Sequence, residues 1–122
     1  MKAAELVSVA RELAGRPERR LGEARLTAAC LLLRQALEEA LDGIWAATVP
    51  ALAGCPARAQ LVSLPYYLPD EAQARDVSFA WYRLSSACHH DSYDLQLDAS
   101  EIARVADIVG RLAERTQEAP SS

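Results

Sequence analysis

The sequence predicts an all-α fold, a bundle of four to five helices formed by a single domain of 122 residues. Three observations carry that expectation. Good helix formers (Ala, Leu, Glu, Arg, Gln) dominate the composition, while 5 Gly and 6 Pro serve as punctuation between segments. Apolar residues recur at three- and four-residue spacing through four long stretches, and no stretch offers itself as a strand. With 51% hydrophobic residues, the chain can build one buried core without disulfide or metal staples.

Residues 3–14 place Leu6, Val9, Ala10 and Leu13 at helical spacing, and Gly15 followed by Pro17 gives a stop and a fresh start. From Pro17 the pattern continues to Thr48 through Leu21, Ala24, Ala28, Leu31, Leu32, Gln35, Leu37, Leu41, Ile44 and Trp45, which makes this the longest helix. Its middle, residues 28–33, is apolar all round, as in a helix enclosed by other helices or by a second protomer. We read it as the central strut.

Pro50, Gly54 and Pro56 end the strut, and residues 57–64 make one or two further helical turns. Pro65-Tyr66-Tyr67-Leu68-Pro69 then predicts an extended crossing with its tyrosines over the edge of the core. Asp70 and Glu71 beside Pro69 favour a helix start, and the helix to about residue 90 should bury Val77, Ala80, Trp81, Leu84 and Cys88. After a connection over residues 92–97, Asp98-x-x-Glu101 reads as a capping box. A stripe of Ile102, Val105, Ala106, Val109, Leu112 and Ala113 follows and ends near Thr116. Residues 117–122 read as a frayed tail. No repeat, low-complexity segment or linker divides the chain, so residues 1–122 are expected to be one domain.

The formal net charge of −4 disfavours broad binding to a phosphate backbone, although a local Arg can still hold one phosphate. Cys30, Cys55 and Cys88 are odd in number, widely spaced and free of any C-x-x-C pair, which argues against a disulfide framework and against structural zinc. Free thiols suit a reducing cytoplasm. The N-terminus has no apolar signal core, and no run approaches the roughly 18 apolar residues of a membrane span. A cytoplasmic protein without cofactor, metal or membrane contact is the expectation.

Both histidines lie in one stretch, Trp81-Tyr82-Arg83-Leu84-Ser85-Ser86-Ala87-Cys88-His89-His90-Asp91-Ser92-Tyr93-Asp94. Imidazole titrates near neutral pH, so a His close to an Arg, a Cys and two Asp residues is where acid/base work belongs. Arg83 precedes His89 by five intervening residues and His90 by six. Seven positions along a helix return to nearly the same face, so Arg83 and His90 can converge.

This segment resembles the R-x(4-6)-H signature of HEPN (higher eukaryotes and prokaryotes nucleotide-binding) domains, helical bundles that carry the motif at the end of one helix and the turn after it. The long second helix with Leu31-Leu32-Leu33-Arg34-Gln35-Ala36-Leu37-Glu38, the Leu84 before the motif and the Tyr93-Asp94 after it are similar to family features. The resemblance covers roughly residues 21–112. Two registers fit. In one, Arg83 pairs with His90 or His89; in the other, set by Leu84, His90, Tyr93 and Asp94, the Arg position holds Ser85, followed by Ser86.

The resemblance implies RNA or nucleotide binding and metal-independent RNA cleavage of a toxin or defence-system type, or a degenerate member without its Arg. A neutral His90 would take the ribose 2′-OH proton, Arg83 would stabilise charge on phosphate, and Ser85, Ser86, Asp91, Tyr93 and Asp94 would line the site. It also implies a homodimer, and the wide apolar girdle of the long helix points to a contact on part of that helix and the face near Trp45 or Trp81. The competing expectation is a non-catalytic protein-interaction or regulatory module, in which Arg83 pairs with Asp91 or Asp94 and His90 caps the helix C-terminus.

Cys88-His89-His90-Asp91 holds common metal-ligand types, but adjacent helical residues point about 100° apart and cannot enclose one ion. Cys88 falls on the apolar face, as a small core residue more than a nucleophile. Trp45, Trp81 and the tyrosines can stack on bases, but at helical spacing they read as core or interface.

Overall fold

The computed structural model describes residues 2–15, 22–88 and 97–118. These residues form α1 (Ala3–Gly15), α2 (Gly22–Thr48), α3 (Pro50–Ala53), α4 (Ala57–Ser63), α5 (Glu71–Ala87) and α6 (Ala99–Glu118), with a 3₁₀ turn, Leu64–Tyr66, after α4. No strand occurs among the described residues, so the fold is all-α as the sequence predicts. The four longest helices build the bundle, and α3 and α4 fold over one end of it.

At 27 residues, α2 runs for about 40 Å and packs against α1, α3, α5 and α6. It is the strut the sequence predicts, with a different face turned inward. Ala29, Cys30, Leu33, Ala36, Leu37, Ala40, Leu41 and Trp45 are buried, whereas Ala24 and Gln35 are exposed and Leu31 is 53% exposed. From Leu37 the expected face is the observed one through Leu41 and Trp45, with Ile44 half-buried, but Thr48 at its end is exposed. Over the first half the expected stripe is rotated, because a segment apolar on every side gives periodicity no phase.

The other helices follow their local grammar. Asp70 caps α5, its Oδ1 accepting from the Ala72 amide at 2.9 Å and the Gln73 amide at 3.4 Å. The helix buries Ala74, Val77, Ala80 and Leu84, leaves Trp81 and Cys88 half-buried, and ends at Ala87 where the Cys88 amide donates to Leu84. Asp98 caps α6 by accepting from the Glu101 amide at 2.8 Å, one half of the expected capping box. All six residues of the expected α6 stripe are buried, and Ile108 joins them.

The expected extended crossing at Pro65 is shorter than the sequence suggests. Pro65 sits inside the 3₁₀ turn, where its missing N–H leaves nothing unpaired, and the amides of Tyr67 and Leu68 both donate to Leu64 at 3.0 Å. Tyr67 therefore meets the buried Trp45 edge-on, with ring centroids 4.9 Å apart, while Tyr66 is 85% exposed.

The corner between α3 and α4 is fastened by Gln60, the one polar residue buried as a whole among the described residues. Its Nε2 lies 3.0 Å from Asp42 Oδ1 on α2, and 2.9, 3.2 and 3.1 Å from the carbonyls of Leu52, Ala53 and Cys55. A four-residue helix leaves its last carbonyls without intrahelical donors; Leu52 accepts from the Cys55 amide at 3.0 Å, and the two N–H bonds of the Gln60 amide are shared among the carbonyls and Asp42 around it.

Candidate functional site

Arg83, Ser85 and Ser86 occupy the last turns of α5. His89, His90, Asp91, Tyr93 and Asp94 lie outside the described residues. The Arg83 guanidinium does not stand open to a ligand. Its Nη2 donates to Glu101 Oε2 at 2.5 Å, with the two side chains 25% and 41% exposed. The acid that meets it comes from α6, fixed there by the same Asp98 cap that starts that helix.

Ser85 turns the other way. By spacing it shares a face with Trp81 and Cys88 (i, i+4, i+7), and its Oγ is buried with no hydrogen-bond partner among the described residues. Ser86 is half-buried beside it.

The same face of α5 meets Arg34 of α2. The Arg34 guanidinium lies 5.1 Å from the centroid of the Trp81 ring. Its Nε is 3.4 Å from Glu38 Oε1, one turn along α2, with side chains 38% and 49% exposed. An exposed i,i+4 pair of this kind contributes only about 0.3–0.5 kcal/mol. Arg34 and Glu38 belong to the Leu31 to Glu38 run quoted above, but sequence reasoning gave neither a role. Their four-residue spacing is the signal that marks an exposed polar edge on an otherwise apolar segment.

Arg34 and Trp81 open onto a groove of about 450 Å³, completed by Glu38, Asp42, Cys55 and Gln60. A second groove of about 460 Å³ lies between the start of α5 and the end of α6, lined by Asp70, Gln73, Asp76, Arg111, Glu114 and Arg115. Its Arg115 is engaged, Nε donating to Gln73 Oε1 at 2.8 Å.

The thiols at this end are poor nucleophiles. Burial, reinforced by the nearby Cys88, pushes the Cys30 thiol up to about 11; Arg83 pulls against the shift and Glu101 adds to it. Burial likewise raises Cys88, against the pull of Arg34. Neither gives appreciable thiolate at neutral pH. Among the described residues, no three Cys, His, Asp or Glu side chains converge on a metal position, and no helix is long and apolar enough to cross a membrane.

No known protein family, curated protein or solved structure matches this chain.

Proposed function

We propose that the chain is a HEPN-like helical module that binds RNA or a nucleotide at the C-terminal end of α5 without cutting it. The observation that carries this reading is the Arg83–Glu101 pair. A guanidinium stabilises the charge developing on phosphate only when aimed at it, and Arg83 is spent on a short contact with a carboxylate. In the register that places Ser85 at the Arg position, that position holds a buried hydroxyl. Both registers thus leave α5 itself without a free catalytic Arg, as in a degenerate member of such a family. The protein is a cytoplasmic homodimer in this reading, with the exposed Leu31 of α2 at the dimer contact. Trp45, fully enclosed by its own chain, takes no part in that contact.

A second reading keeps the cleavage chemistry. It is favoured by one observation, that Glu101 fixes the Arg83 side chain near the end of α5, six and seven positions before His89 and His90 in the sequence. The two are separated by incubating RNA with the purified protein in EDTA. Binding without breakdown supports the first, and breakdown abolished by His90→Ala or Arg83→Ala supports the second.

A further inference from the structure

Two guanidiniums stand near the end of α5, and they differ in what they can offer an anion. Arg83 meets Glu101 at 2.5 Å from a side chain 25% exposed. Arg34 meets Glu38 at 3.4 Å through Nε, from a side chain 38% exposed. Trp81 supports the Arg34 guanidinium from below, so little rotamer freedom remains to be lost when a ligand arrives. Guanidinium pairs with phosphate by a charge-assisted, two-pronged contact, stronger than the long contact to an exposed carboxylate that it would replace.

We propose that Arg34, reaching from α2 across Trp81 to the Ser85 face of α5, is the phosphate-binding cation of this site. It supplies from a neighbouring helix the guanidinium that Ser85 cannot. The inference rests on the RNA-binding reading above and names the residue on which that binding depends. Glu38 and Asp42 line the same groove, and Gln60 donates to Asp42 at 3.0 Å. Two carboxylates so near repel a second phosphate, so the groove takes one phosphate group and not a run of backbone.

The test is the affinity of the purified full chain for a fluorescein-labelled, single-stranded 2′-O-methyl RNA, titrated over a series of salt concentrations. Arg34→Gln is expected to weaken binding about tenfold or more and to lower the salt slope by about 1, while Arg83→Gln stays within about threefold of the parent. Glu38→Gln, at an exposed position, frees Arg34 and is expected to tighten binding about threefold. Glu12→Gln, which removes the same charge from α1, changes it by less than about twofold. If Arg34→Gln fails to fold, the Glu38→Gln and Glu12→Gln comparison decides. Parent-like affinity and slope in Arg34→Gln, or equal effects of Glu38→Gln and Glu12→Gln, would overturn the role of Arg34 and leave RNA binding standing. No saturable binding by the parent protein would overturn the RNA-binding reading and the role of Arg34 with it.

Discussion

Cys30 shows at the residue scale how burial becomes pH dependence. Below about pH 9, its usual value, the thiol is neutral in both the folded and unfolded chain, so its full contribution to stability is present. Between about 9 and 11 only the unfolded chain ionises, and stability falls as pH rises through that window. Thermal unfolding from pH 8 to 11 should therefore show a steeper loss in the parent than in Cys30→Ala; equal slopes would contradict the burial argument. Gln60 makes a second residue-scale case. Gln60→Ala leaves Asp42 and three carbonyls without their shared donor and is expected to cost about 1–3 kcal/mol in urea unfolding. Gln60→Glu should cost more, since it sets a carboxylate against four acceptors. Neither partnership was legible in the sequence. Arg83 meets Glu101 because the packing of α5 on α6 brings that acid close, while Asp91 and Asp94, the partners offered by nearness along the chain, lie outside the described residues.

Among the elements, the legible parts were those written locally. Asp70 and Asp98 mark helix starts that depend only on the next three residues, and the α6 stripe alternates cleanly with charged positions. Asp98→Ala is accordingly expected to cost about 1 kcal/mol, measured by denaturant midpoint. The inward face of α2 was not legible, since residues 28–33 offer apolar side chains in every direction and the choice falls to the neighbouring helices. That correction has a direct check. Leu33→Ala, at a fully buried position, should cost about 2–5 kcal/mol, whereas Leu31→Ala should cost under about 1 kcal/mol in dilute protein. Costs in the reverse order would restore the face that periodicity suggested. The Pro65 turn failed for a related reason: proline discourages helix before it, but the packing of Leu64 and Leu68 holds Leu64 in helical geometry.

For the whole molecule, the all-α bundle around one long helix followed from composition and spacing, while the candidate site followed only in outline. Spacing located the end of α5, but it could not show that Arg83 is engaged or that Arg34 arrives from α2. The homodimer we propose should appear in light scattering as twice the chain mass, and Leu31→Glu should return it to a monomer without loss of helicity; a monomeric parent at high concentration would remove that part of the account. The central claim, a module that binds RNA without cutting it, is tested most directly by following a labelled single-stranded RNA with the purified protein in EDTA. The account predicts a retarded but intact RNA, unchanged in length with the parent protein and with His90→Ala. Breakdown to fragments ending in a 2′,3′-cyclic phosphate, lost in His90→Ala, would contradict it.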